Sequence, residues 1–124
     1  MELHIFAFTR KGTALQQKIR WALEHSGHNC QCFAVERFAP ENVTPVSSFS
    51  QIVAESFAAA QGLIFIGACG IAVRFIAPYV RDKRRDPAVV CVDEQGEFVI
   101  SLLSGHLGGA NRLAEDLAEK IGAQ

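Results

Sequence analysis

The sequence predicts one α/β domain, a three-layer α/β/α sandwich around a five-stranded, mainly parallel sheet. Two observations carry this. Strand-like apolar runs alternate with segments of helical spacing along all 124 residues. One inner run, residues 63–66, is apolar on both faces, as a central parallel strand requires. Right-handed crossovers then put helices on both faces of the sheet. The length suffices for a single core.

The elements follow in order. Residues 3–8 (LHIFAF) read as a short strand and residues 9–13 as a polar turn. Leu15, Ile19, Ala22 and Leu23 recur at helical spacing, which predicts a helix over 13–25 closed by Ser26-Gly27. Residues 29–35 form the second strand, and Pro40 and Pro45 bracket a loop. Ser48-x-x-Gln51 reads as a capping box opening a helix that buries Phe49, Ile52, Val53 and Phe57. Residues 63–66 are the third strand. A third helix follows Gly70, with Ala72, Phe75, Ile76, Tyr79 and Val80 on one face and a kink or early end at Pro78. Residues 81–87 are a charged loop. Residues 88–93 and 97–103 are two strands whose short connection predicts an antiparallel hairpin. The last helix aligns Ala110, Leu113, Ala114, Leu117 and Ile121.

The hairpin can join the sheet in two ways. If the fourth strand runs parallel to the third, the fifth runs back and the segment SGHLGG (104–109) lies at the bottom of the sheet. If the fourth strand is antiparallel at the edge, the fifth lies beside the third. The order is then 2-1-3-5-4, flavodoxin-like in class. We expect the second arrangement, because residues 99–103 are apolar enough for an inner strand. It brings SGHLGG, residues 67–70 and residues 9–13 to one carboxyl edge, where open α/β sheets bind ligands.

Composition narrows the function. A net charge of −1 argues against nucleic acid or anionic membranes as broad partners. No apolar run reaches the ~18 residues of a membrane span. The start, MELHIFAFTRKG, lacks the basic region of a secretory signal, so a cytoplasmic location is expected. Cys30 and Cys32 share a strand face. They read as buried reduced thiols more readily than as half of a zinc site. The four histidines are too scattered to suggest a metal site.

The chemistry concentrates at helix starts. Their N–H groups and partial positive charge attract carboxylate or phosphate. Arg10, Lys11 and Arg74 add full charges. The glycines at 105, 108 and 109 either build such a site or satisfy turns, and Gly12 suits close packing. His106 is the candidate for acid–base work, with a capping histidine as the alternative. Residues 81–86 hold four cations and two acids, a solvated loop or a grip on compact carboxylates. Dinucleotide, P-loop and nucleophile-elbow motifs are absent. An Asp93/His106/Ser104 triad can be drawn, but only by selection.

The stretch from 67 onward also resembles the N-terminal region of the CbiG family, the cobalt-precorrin-5A hydrolases of anaerobic cobalamin biosynthesis. The matching pieces are Gly70-Ile71, Val73-Arg74, Ile76-Ala77-Pro78, Lys83, Asp86-Pro87-Ala88-Val89 and residues 102–111. The start fits more loosely, with a strand, Thr9, Gly12 and a helix. The resemblance implies opening of the δ-lactone of cobalt-precorrin-5A, loss of acetaldehyde and formation of cobalt-precorrin-5B. It implies a cobalt-corrinoid substrate fringed with carboxylates and no resident cofactor, since cobalt arrives on the substrate. On that basis His106 is expected to handle protons. Arg74, Lys83, Gly70, Ser104, Gly105, Gly108, Gly109, Asn111 and Thr9 are expected to bind substrate. Residues 1–124 would be one N-terminal-type domain, and the family's C-terminal domain, absent from this chain, a possible partner. A non-catalytic corrinoid- or polycarboxylate-binding module and a generic anion-binding domain are the alternatives. The sequence leaves a homo-oligomer open.

Overall fold

The computed structural model describes residues 1–82, 84–106 and 108–124. Its strands are β1 (Glu2–Ala7), β2 (Asn29–Val35), β3 (Thr44–Val46), β4 (Gly62–Ile66), β5 (Ala88–Val92) and β6 (Val99–Leu103). Its α-helices are α1 (Arg10–Glu24), α2 (Phe49–Ala59), α3 (Cys69–Ile76) and α4 (Ala110–Ile121). The sheet order is β3-β2-β1-β4-β5-β6. All neighbours pair in parallel except β5 and β6.

The α/β sandwich stands as expected, but the strand order does not. The fourth predicted strand is β5. It lies parallel beside β4, with Ile64 opposite Val90. The antiparallel edge strand is the fifth, β6. The physical reason is burial. All five residues of β5 are buried, whereas β6 is only half covered. Apolar content alone did not separate them.

The sheet also has a sixth strand. Thr44-Pro45-Val46 pairs with Phe33, Ala34 and Val35 at the far edge. Pro45 hid it, because proline lacks a donor for the ladder, but an edge strand tolerates that loss. Helix α1 starts at Arg10 rather than 13, because the Thr9 side chain caps it by accepting from the Gly12 N–H at 2.9 Å. Ser48 occupies the N-cap of α2 without a side-chain cap bond. Gln51 donates to Glu55 instead, so the capping box does not form. Helix α3 gives way to a short 3₁₀ turn, Ala77–Tyr79, at Pro78, as the missing N–H demands.

Two apolar layers hold the sandwich. On one face, Ile19 and Leu23 of α1 and Leu113 and Leu117 of α4 pack over Ile5, Ile64 and Val90. On the other, α2 and α3 cover Phe6, Phe33 and Phe65. Phe6 stacks between Phe33 and Phe65, with ring centroids 5.4 and 4.9 Å away. Cys30 and Cys32 are buried free thiols in the first layer. Among the described residues no helix is long and apolar enough to cross a membrane.

Candidate functional site

Because β6 runs back, residues 104–111 return the chain to the amino end of the parallel strands. Ser104 makes the turn in the left-handed region, at φ 59°. Its buried hydroxyl donates to the Asp86 carbonyl at 3.1 Å. Its own carbonyl accepts from the Ala110 N–H, and the Gly105 carbonyl accepts from the Asn111 N–H. Gly108 lies so close that a Cβ there would be 2.5 Å from the Ser104 Cβ. Asp86 in turn accepts from the Arg81 and Asp82 N–H groups at 2.8 and 3.1 Å. The charged loop and the glycine-rich loop therefore form one unit. Arg81, Arg84 and Arg85 are exposed on it.

Two cavities flank the first turn of α4 beside this unit. One, of about 340 Å³, is lined by Met1, His28, Gly108, Gly109, Arg112 and Asp116, among others. The other, of about 450 Å³, is lined by Gly105, His106, Gly109, Asn111, Arg112 and Glu115. Gly109 and Arg112 line both. His28 faces the terminal ammonium, with its Nδ1 3.2 Å away. Burial, and then that ammonium, pushes the His28 pKa down. The neutral ring then offers Nδ1 as acceptor and keeps its proton on Nε2. The surface carries Arg112, the nearby arginines and the imidazoles of His28 and His106, offset by Asp116 and Glu115. It suits a ligand with several carboxylates and one basic contact.

The carboxyl end is different. A cleft of about 360 Å³ there is lined by Lys11, Gly67, Ala68, Asp93, Glu94 and Gln95. Thr9 donates to Glu94 Oε2 at 3.0 Å. The protein thus sets its own carboxylate at the start of α1, where an acidic ligand would otherwise sit. Asp93 accepts from the Gln95, Glu97 and Phe98 N–H groups and is engaged in the turn. Two carboxylates of one turn, Asp93 and Glu94, outnumber the one cation lining the cleft, Lys11, which disfavours a polyacid there.

The expected gathering of three loops at one edge is therefore corrected. Ser104, Gly105, His106, Gly108, Gly109 and Asn111 stand at the amino end. Thr9 and Gly70 stand at the carboxyl end, one strand length away, roughly 17 Å for five residues. Arg74 is exposed in the last turn of α3, where a cation favours the helix dipole. Lys83 lies outside the described residues. Asp93 and Ser104 sit at opposite ends of the hairpin, so the triad does not exist. Two of the first N–H groups of α4 already bond the Ser104 and Gly105 carbonyls, which narrows any anion contact there.

Sequence reasoning missed Arg112. A signal was present: it is a cation in the first turn of α4, against the helix dipole, with no acidic residue there to offset it. Such placement costs stability unless something else uses the charge. Among the described residues no cluster of three or more His, Cys, Asp or Glu is placed to hold a metal ion.

Comparison with known proteins adds a separate line of evidence. The profile of the family described as Cobalamin synthesis G N-terminal matches residues 51–124. The cobalt-precorrin-5A hydrolase of Salmonella typhimurium is 45% identical over 120 residues, 96% of this chain and 33% of that protein. The cobalt-precorrin-5A hydrolase of Priestia megaterium is 47% identical over 76 residues, 61% of this chain and 20% of that protein. A crystal structure of a cobalamin biosynthesis protein G homolog from Sulfolobus solfataricus shares the fold. Its TM-score is 0.77 at 22% identity, over 98% of this chain and 35% of that one. The chain spans about a third of the length of the Salmonella relative it matches.

Proposed function

Since the chain belongs to the cobalamin synthesis G N-terminal family, we propose that it serves cobalamin biosynthesis as the N-terminal part of a cobalt-precorrin-5A hydrolase. The observation that carries this is the 45% identity to a protein of that name across 96% of the chain. The reaction opens the δ-lactone of cobalt-precorrin-5A. Water adds to the lactone carbonyl, and the ring carbon–oxygen bond breaks to leave a carboxylate and an alkoxide. The alkoxide collapses to acetaldehyde as the adjoining carbon–carbon bond breaks. The macrocycle keeps that electron pair, takes up a proton and becomes cobalt-precorrin-5B. No resident cofactor is needed, because cobalt is carried by the substrate. A cytoplasmic location fits such a biosynthetic step.

The amino-end surface is where this chain meets the substrate. Arg112 and the exposed arginines at 81, 84 and 85 pair with peripheral carboxylates, with Lys83 on the same loop. His106 takes or gives a proton at the reacting edge. Gly109 lets the macrocycle approach the backbone, Asn111 offers its side chain, and Gly105 and Gly108 let the loop close on Asn111 and Ser104 and hold its shape. Thr9, Gly70 and Arg74 lie away from this surface, so they act at a second contact or serve the fold.

A second reading rests on the chain spanning 33% of its Salmonella relative. In it, this domain holds the corrinoid while the rest of the hydrolase does the chemistry. Acetaldehyde release from cobalt-precorrin-5A separates the two. It is measured with the chain alone and with the remaining region of the Salmonella relative added. Activity that falls in a His106→Gln variant, in either format, supports the catalytic role. Full activity of that variant, with wild-type substrate affinity, removes His106 from the chemistry. Absence of corrinoid binding by the chain sinks both readings.

A further inference from the structure

The two edges of the sheet are built differently. β3 is three residues long and carries Pro45, which leaves little for another strand to pair with. β6 has neither device. Residues 97–103 read EFVISLL, with no lysine, no proline and one charge at the start. Phe98, just before β6, and Ile100, within it, are 48% and 45% exposed. An edge this apolar invites a strand.

The chain itself begins to answer. After α4, Gly122 turns in the left-handed region, at φ 75°. The Gln124 N–H then donates to the Glu97 carbonyl at 2.8 Å, and the Gln124 carbonyl accepts from the Val99 N–H at 2.9 Å. That pair of bonds is the pattern of a parallel bridge. Gln124 thus lies on the outer edge of β6, pointing along it. By strand alternation the next outward groups are the Val99 carbonyl and the Ser101 N–H. A groove of about 520 Å³ continues from that point, between β6 and α4. Val99 and Ser101 line one wall, Ala114 and Ala118 the other with Glu115 and Glu119 beside them, and Asn111 stands at its far end. Ser101, Ala114 and Ala118 leave room for a backbone between the walls.

We propose that this groove receives the polypeptide that follows the N-terminal region in the longer cobalt-precorrin-5A hydrolases, as a seventh strand parallel to β6. The family profile is that of the N-terminal region, and the Salmonella relative is about three times as long as the match. The extension starts at Gln124 and runs toward Asn111, so it delivers the following region to the glycine-rich loop at the amino end. The added strand completes the main-chain ladder of β6, as in strand-addition complexes. The inference rests on family membership and on the geometry of β6. It does not rest on the reaction, so failure of the acetaldehyde assay leaves it standing.

The test appends to Gln124 about twelve residues, enough for one strand and a margin, taken from those that follow the matched region in the Salmonella relative. Amide exchange is read by NMR in the chain with and without the extension. The Ser101 amide is expected to exchange at least about tenfold more slowly with the extension, as a newly formed ladder bond requires. The appended amides gain protection with it. Ala118→Trp, which fills the groove from a helix surface, should abolish both effects while the β5 amides stay protected. Unchanged Ser101 exchange overturns the proposal, and so does protection that survives Ala118→Trp. Protection of Ser101 that appears without the extension and grows with protein concentration assigns the edge to a second copy of this chain and equally overturns it.

Discussion

The Ser104 hydroxyl donates to the Asp86 carbonyl at 3.1 Å, and this bond locks the glycine-rich loop to the charged loop. Both partners are buried, so removing the donor leaves a carbonyl without a partner. Ser104→Ala is expected to lower stability by about 1–2 kcal/mol in urea unfolding. Ser104→Val should cost more, because a β-branched side chain resists the positive φ found there. Equal midpoints for wild type and Ser104→Val would show that the loops are not coupled.

Two neighbouring glycines separate sterics from backbone conformation. A Cβ at Gly108 meets the Ser104 Cβ at 2.5 Å and its carbonyl oxygen at 3.0 Å, and neither can swing away. Gly109 has open space around it but stands at φ 84°. Gly108→Ala should therefore cost roughly 2–3 kcal/mol through overpacking, and Gly109→Ala about 1 kcal/mol through the left-handed backbone alone. The ranking is checked by denaturant midpoints, and a larger loss at Gly109 would contradict it.

These loops also show what the sequence could and could not convey. The helices were legible because Leu113, Leu117 and their partners repeat at helical spacing. The central strands were legible because burial on both faces leaves continuous apolar runs. The order of β5 and β6 was not, since both read as short apolar strands and only packing decides which is inner. That single ambiguity moved Ser104, His106 and Asn111 from one end of the sheet to the other. Residues 86–89 and 102–111, which carry the family resemblance, meet through Ser104 and Asp86, a contact the sequence reading did not anticipate. Arg112 escaped because its meaning depends on two cavities that exist only in three dimensions.

Arg112 offers a trade between stability and binding. Its charge opposes the dipole of α4 in the first turn. Arg112→Gln should leave stability unchanged or raise it by roughly 0.3–0.5 kcal/mol. It should also weaken corrinoid binding by roughly tenfold, the worth of one charge-assisted hydrogen bond to a carboxylate. Thermal unfolding and a visible-absorbance titration with cobalt-precorrin-5A measure the two effects. Lower stability with intact affinity would make Arg112 structural.

The thiols should react unequally. Burial pushes the Cys30 pKa up to about 11, and those of Cys32 and Cys91 up to about 12. Their thiolate fractions at neutral pH are negligible, and thiolate is the reactive form. Cys69 is partly exposed at the start of α3. A short iodoacetamide pulse on the native chain should label Cys69 first, with the other three following only on unfolding. Peptide mapping by mass spectrometry reads the order.

His4 gives the fold a pH dependence. Its Nδ1 lies 2.7 Å from the Ser56 hydroxyl, and its Nε2 is 3.7 Å from Glu2. Burial lowers its pKa from 6.5 and outweighs the pull of Glu2 in the other direction. The unfolded chain therefore binds a proton more readily than the folded one as pH drops below 6.5. Stability is full above that pH and declines as pH falls toward the folded pKa, after which the His4 contribution levels off. His28 shifts the same way and adds to the slope. His4→Gln keeps a polar partner for Ser56 and should flatten the decline between about pH 7.5 and pH 5, above the range where most carboxylates titrate. His4→Gln combined with His28→Gln should flatten it further. Urea midpoints across that window measure the slope, and a slope unchanged in the double variant would place the titrating group elsewhere.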